Sequence, residues 1–260
     1  MKWKIACIQM DIAFGNPEEN YQRIRYKIML AAASKPDIVV LPELWTTGYD
    51  LTRLDELADH EADRTIRFLQ ECALAHSIHF VGGSVARSTP EGIFNTLIIV
   101  SNKGKVVKLY DKLHLFQLMN EHHFLMPGQN DGAFTLDEQH CAGFICYDIR
   151  FPEWLRVHSA DGAGVLFIAA EWPEPRISHW RALLISRAIE NQAYIIAVNR
   201  VGSDPANTFG GHTMVINPWG EIIAEAGDQE EIVLAEIDLE LIDSVRKQIP
   251  VFQDRRPEFY

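Results

Sequence analysis

The sequence predicts a layered α/β protein whose mixed sheets are covered by helices on their outer faces. Three observations predict it. Short apolar runs rich in β-branched residues alternate with amphipathic stretches, a hairpin signal adds antiparallel pairing to the parallel units, and the second half repeats the strand–helix–strand order of the first.

Residues 3–9 alternate apolar and polar side chains and form the first strand. Asn16 caps the helix that follows, Pro17 suits its first turn, and Glu19 sits where a capping box wants its acid. Tyr21, Ile24, Ile28 and Ala31 then line one face, and a strand follows at residues 38–41. A second helix spans residues 61–75, with Ile66, Leu69 and Ala73 on one face, and leads into a strand at 79–84. The strands at 94–100 and 105–110 flank Asn102-Lys103-Gly104, a hairpin turn. The second half gives strands at 142–145, 165–169 and 194–198, a short helix after Pro152, and a helix over 178–190. Strands at 212–216 and 221–224 join through Asn217-Pro218-Trp219-Gly220, and 232–237 is the last strand. No linker or composition shift divides the chain, so one domain over residues 1–260 is expected, ending in an extended tail at 249–260 that packs on itself or on a partner subunit.

Composition excludes several classes. Acidic residues outnumber basic ones 36 to 24, and a net charge of −12 disfavours a nucleic-acid backbone or an anionic membrane as the main partner. No stretch approaches the ~20 apolar residues that cross a bilayer, and the N-terminus meets Asp11 too soon for a signal peptide. Cys7, Cys72, Cys141 and Cys146 form neither a CxxC pair nor a disulfide framework, so a cytoplasmic protein with free thiols is expected.

Three segments put a reactive side chain at the end of a strand, where α/β folds assemble their sites. Glu43 follows a buried strand among apolar neighbours, where a poorly solvated carboxylate takes up a proton more readily and can act as a general base; the alternative is an acid facing water or capping a turn. Lys112 ends the hairpin strand and is followed by apolar residues, a setting in which a fixed positive charge can meet a developing oxyanion; the alternative is a solvated lysine beside Asp111. Cys146 sits where a strand breaks into polar residues. Backbone N–H groups at such a turn lower a thiol pKa and can form an oxyanion hole, whereas inert packing, the reading adopted for the other three cysteines, is the alternative. Together, a base, a lysine and a thiol are the parts needed to attack an amide or nitrile carbon through a thioester.

At these segments the chain closely resembles the nitrilase superfamily of carbon–nitrogen hydrolases. Its signatures are present in order as LPELWTTGY around Glu43, YDKLHLF around Lys112 and GFICYDIRFPE around Cys146, and the likeness continues through EWP at 171–173, RAIENQAYIIAVNR at 187–200 and INPWGEII at 216–223. The resemblance implies a four-layer α-β-β-α sandwich of two mixed sheets, a homodimer or higher homo-oligomer, and no cofactor. It implies that Cys146 is the nucleophile, Glu43 the base and later acid, and Lys112 with the Tyr147 backbone N–H the oxyanion donors. Glu121, placed by its distance from Pro127-Gly128, is implied to position Lys112 and the substrate amide; the alternative is an exposed acid beside His122 and His123. Those histidines lack a third ligand at helical spacing, so no metal is expected.

Within the superfamily, LWTTGYDL, HLFQLM and AEWP look most like the ω-amidase branch, whose bacterial members are associated with methionine salvage. That likeness implies hydrolysis of the terminal amide of a small carboxylic acid such as 2-oxoglutaramate, giving 2-oxoglutarate and ammonia. Arg150 is then a candidate clamp for the free carboxylate, with a structural ion pair to Asp148 or Glu153 as its alternative, and Trp172, Tyr49 and Phe116 are candidate pocket walls. The competing functions are an N-carbamoyl hydrolase, a deaminated-glutathione amidase, a nitrilase proper, or a dimeric scaffold without turnover.

Overall fold

Alternation along the strands decides which residues meet between the layers. In the computed structural model, which describes residues 1–259, the first strand β1 (Lys2–Gln9) turns Ile5 and Cys7 into a core between two sheets and Ala6 and Ile8 toward helices. The strands β2 (Ile38–Val40), β4 (His79–Thr89) and β5 (Gly92–Val100) follow the same rule: Val40, Val81, Leu97 and Ile99 face the partner sheet while Val39, Phe80 and Ile98 face the helices. Strands buried on both faces read as continuous apolar runs, and that is the pattern of 38–41 and 97–100.

The first sheet has the order β13-β1-β2-β4-β5-β6, with β6 at Val106–Asp111 and β13 at Glu231–Asp238; the short β3 (Asp59–His60) pairs with β4. The second has the order β12-β11-β10-β9-β8-β7, made of Ala133–Leu136 (β7), Gln139–Ile145 (β8), Val165–Ala170 (β9), Tyr194–Asn199 (β10), Met214–Ile216 (β11) and Ile222–Glu225 (β12). Each sheet has parallel pairs at its centre and antiparallel pairs outside them. Helices α1 (Pro17–Ala32) and α3 (Asp63–His76) cover the first sheet, and α4 (Pro152–Ala160) and α5 (Ile177–Asn191) cover the second. The architecture is the expected α-β-β-α sandwich.

Local signals act as expected at the first helix. Glu19 N donates to Asn16 Oδ1 (3.3 Å), which satisfies one orphan N–H of the helix end, and Asn16 Nδ2 donates to Glu19 Oε2 (3.0 Å) to hold the cap in place. Elements not expected from the sequence include β3, β7, a one-turn helix α2 at Leu54–Leu57, and α6 at Glu240–Gln248, whose Ile242 packs into the inter-sheet core. Beyond Ile249 the tail passes through turns to a 3-10 turn at Pro257–Phe259, and the Phe252 ring lies under the Arg156 and Arg246 guanidinium groups. Tyr260, the end of that tail, lies outside the described residues. No described helix is long and apolar enough to cross a membrane.

Candidate active site

The carboxyl ends of six strands converge on one region: Asp11 lies past β1, Glu43 past β2, Lys112 past β6, Cys146 past β8, Glu171 past β9 and Arg200 past β10. A bulge in β4 supports the Glu43 turn. The β4–β5 register shifts between Val81 and Ser84, and Ser84 N donates to Pro42 O (3.1 Å) while Ser84 Oγ accepts from Leu44 N (3.0 Å). Gly83 makes the approach possible: its φ is +63°, and a Cβ there would stand 2.2 Å from Pro42 O. Trp45, from the same signature segment, is a core plug; it is fully buried, its Nε1 donates to Gly82 O (2.9 Å), and its ring meets Tyr21 edge-on.

Glu43, Lys112 and Glu121 are each fully buried. Lys112 Nζ donates to Glu43 Oε1 (2.8 Å) and Glu121 Oε1 (2.6 Å), and the Tyr49 hydroxyl lies 3.1 Å and 2.6 Å from the same two oxygens. Asn95 Nδ2 also donates to Glu43 Oε1 (2.9 Å), and the Glu171 backbone N–H donates to Glu43 Oε2 (2.8 Å). Glu121 Oε2 accepts from Phe116 N (2.8 Å), so this glutamate is tied into the site and is not the exposed acid of the alternative reading. Two carboxylates thus face one ammonium. Burial would lower the Lys112 pKa, but Glu121 and Glu43 outweigh it and hold the ammonium above its ordinary value; burial, with Glu43 adding, raises Glu121 against the pull of Lys112.

Cys146 opens a 3-10 turn (Cys146–Arg150) with φ +44°, a left-handed conformation unusual outside glycine. The turn is fixed by fully buried Asp148, whose carboxylate accepts from Ile145 N (3.0 Å), Tyr110 OH (2.8 Å) and His114 N (3.1 Å). Tyr147 N–H lies in the first turn, where helical amides lack an intrahelical acceptor. The expected lowering of the thiol pKa is corrected here: burial pushes Cys146 well above its ordinary value, and Glu43 pushes the same way against Lys112. Desolvation outweighs the backbone amides and favours the protonated thiol.

A narrow recess lies at Cys146, lined by Phe116, Tyr147, Arg150, Trp172, Pro173 and Arg176. The Arg150 guanidinium lies 4.7 Å from the Trp172 ring centroid and its Nη2 is 3.4 Å from His179 Nδ1; among the described residues it forms no ion pair with Asp148 or Glu153. Trp172 is buried and its Nε1 donates to Arg176 O (2.8 Å), and the Arg176 guanidinium lies 5.6 Å from the Phe116 ring centroid. Of the four expected pocket residues, Phe116, Arg150 and Trp172 line this recess. Tyr49 instead touches Glu43 and Glu121 and faces a separate cleft with Leu51, Met119 and Phe124.

Sequence reasoning missed Arg176, Asn95, Asp148 and the buried Glu171–Arg200 pair. Arg176 lies three residues after Pro173 of EWP, so its nearness to a signature segment was a usable signal; Asn95 inside a strand carried none. The His122 and His123 rings lie 3.8 Å apart, tilted by 42°, and among the described residues no group of three His, Cys, Asp or Glu is arranged to hold a metal ion.

A carbon–nitrogen hydrolase is the class that this sandwich and its buried acid, lysine and thiol define, and the family model for carbon-nitrogen hydrolases matches residues 4–247. The chain belongs to that family. It is 51% identical over 260 residues to a 2-oxoglutaramate amidase of Bacillus subtilis (strain 168), covering 100% of both chains, and 32% identical over 269 residues to an omega-amidase of Homo sapiens, covering 99% of this chain and 96% of the other. Among solved structures it superposes with a TM-score of 0.92, at 28% identity and 98% coverage of each chain, on a CN-hydrolase superfamily protein of Xanthomonas campestris that carries an arsenic adduct in its active site.

Proposed function

We propose that this enzyme hydrolyses the terminal amide of a small dicarboxylic acid monoamide, with 2-oxoglutaramate as the representative substrate. The observation that carries the reading is the recess at Cys146, which Arg150 and Arg176 border, their guanidinium groups lying over the rings of Trp172 and Phe116. A free carboxylate is matched by such forked donors, and the apolar walls fit the short carbon chain. The identity to a 2-oxoglutaramate amidase supports the same substrate.

In the proposed mechanism Glu43 takes the thiol proton as Cys146 attacks the amide carbon, and the oxyanion is met by Lys112 and the Tyr147 N–H. Glu43 returns the proton to the leaving nitrogen, ammonia departs, and a water deprotonated by Glu43 cleaves the thioester to release the acid and restore the thiol. Glu121 and Tyr49 hold Lys112 and Glu43 in register. A single domain spanning the chain carries these groups. The four free, buried cysteines suit a reducing cytoplasm, and exposed Val157 and Ile189 on α4 and α5 suit a homodimer through the outer helices.

The test is ammonia release from 2-oxoglutaramate, glutamine, a nitrile and an N-carbamoyl compound, with the wild type and Cys146→Ala. Release from 2-oxoglutaramate, lost in the variant, supports the reading; release from another compound alone overturns the substrate, and equal release by Cys146→Ala overturns the mechanism. Arg150→Lys and Arg176→Ala should each cost more activity toward 2-oxoglutaramate than toward an uncharged amide.

A further inference from the structure

Behind Glu43 lies a buried charged chain that the mechanism does not use. Glu171 and Arg200 are both fully buried, and Arg200 Nη1 donates to Glu171 Oε2 (2.7 Å). Arg200 spends its other donors on the backbone and on one acid: Nη2 donates to Asp11 Oδ1 (2.8 Å) and Ile12 O (3.0 Å), and Nε to Val201 O (3.1 Å). Asp11 stands past the first strand of the first sheet, while Glu171 and Arg200 stand past strands of the second. The chain therefore bolts the two sheets together at the end where Glu43 and Cys146 meet. Its inner end is the Glu171 peptide, whose N–H holds Glu43 Oε2 at 2.8 Å.

A structural tie would explain the ion pairs but not why the same residue supplies both the anchor and the peptide hydrogen bond to the base. Among the described residues Glu171 Oε1 has no partner although it is buried, a costly arrangement for a group that serves packing alone. We propose that Glu171 is a positioning residue for Glu43: its side chain, gripped by Arg200 and through it by Asp11, fixes the peptide N–H that aims the Glu43 carboxylate at the Cys146 thiol. The inference rests on the reading of Glu43 as the base for Cys146.

Two variants and two readouts test it. Glu171→Ala removes the grip, and Glu171→Gln keeps an oxygen for Arg200. The first readout is steady-state hydrolysis of 2-oxoglutaramate. A displaced general base costs on the order of ten- to a hundredfold in rate, so kcat should fall by that factor in Glu171→Ala with KM within about twofold of wild type, while Glu171→Gln recovers most of the loss. The second readout needs no amide substrate: the rate of iodoacetamide alkylation of Cys146 across pH 5 to 9, corrected by Cys146→Ala. Five groups face Glu43 and set that profile, namely Lys112, Glu121, Tyr49, Cys146 and Glu171. The alkylation rate near neutral pH should drop in Glu171→Ala and return in Glu171→Gln. Because leaving Arg200 unpaired can prevent folding, Asp11→Ala at the partly exposed end of the chain is the third variant, expected to lower kcat about threefold. Wild-type kcat and alkylation profiles in folded Glu171→Ala, or in Asp11→Ala where Glu171→Ala does not fold, overturn the proposal, as does a parallel change in kcat and KM without rescue by glutamine. If the wild type hydrolyses no amide, the substrate reading fails while the alkylation profiles still decide this one.

Discussion

Replacing Lys112 with methionine keeps the length of the side chain but removes the charge between Glu43 and Glu121. Two charge-assisted hydrogen bonds of 2.8 Å and 2.6 Å disappear in a region with no solvent access. Removing one partner of a buried ion pair costs about 3–5 kcal/mol. Losing the second contact does not double that figure, because two adjacent carboxylates without a cation keep one proton between them. At about 2–4 °C per kcal/mol for a chain of this size, the melting temperature near pH 7.5 should fall by about 10 °C. The pH dependence gives the sharper test. Burial already raises the Glu121 pKa, with Lys112 pulling against it, so deleting the lysine raises it further. A carboxyl whose folded pKa exceeds its unfolded one contributes stability that is complete below the unfolded value, near ~4.3, and is lost as pH rises through the folded value. The gap between wild type and variant should therefore be smallest near pH 5 and widen toward pH 8. Urea denaturation of both proteins at pH 5, 6.5 and 8 measures it. A gap that is constant with pH, or below about 1 kcal/mol throughout, would refute the claim that two buried acids share the one charge.

Tyr49→Phe deletes the hydroxyl between Glu43 and Glu121, and a hydrogen bond to a charged group is worth about 1.5–3 kcal/mol, so kcat should fall roughly ten- to a hundredfold with the fold intact by circular dichroism. Gly83→Ala forces a left-handed residue against Pro42 O and Trp45; it should lower stability by at least about 2 kcal/mol in denaturation and reduce turnover of the remaining folded protein, because the clash sits under the Glu43 turn. Burial pushes the Glu171 carboxyl up to about 8 against the pull of Arg200. Wild-type stability should therefore carry a component that is complete below about pH 4.5 and falls by up to ~1.4 kcal/mol per pH unit as pH rises toward 8. Glu171→Gln, which cannot ionise, should lack that component, and thermal melts from pH 5 to 8.5 compare the two.

The fold was legible where local and global signals agree. The Asn16 cap, the apolar stripe of α1 and the apolar runs of the central strands each carry their own pattern, and all emerge in place. By contrast β7 and α6 were not legible although both carry a pattern, because they are short, four and nine residues, and their place depends on a neighbour: β7 pairs with β8, and α6 lowers Ile242 onto the inter-sheet core. In the site, Glu43, Lys112 and Cys146 were legible because each stands at a strand end, while Glu121 was legible only by its likeness to a family pattern. Asn95 and Asp148 were not, because an amide in a strand and an acid after a tyrosine look like any others until tertiary contacts bring Glu43 and His114 beside them. The thiol's direction of shift was misread for a related reason: backbone dipoles are visible in a turn sequence, but the depth of burial that overrides them belongs to the whole sandwich.

The groups that meet at the proposed reactive centre come from opposite sides of the seam between the sheets. Glu43, Lys112 and Asn95 hang from the first sheet, and Cys146 with the Glu171 peptide from the second. The clearance between Glu43 and Cys146 is thus set by the thickness of the apolar layer that keeps the sheets apart, filled by Ile99, Phe134 and Phe167 among others. Turnover becomes a gauge of that spacing. A methylene added or removed deep in the layer alters the alignment of two residues it never touches, so core variants selected for heat resistance alone will scatter in rate even where their melting temperatures agree.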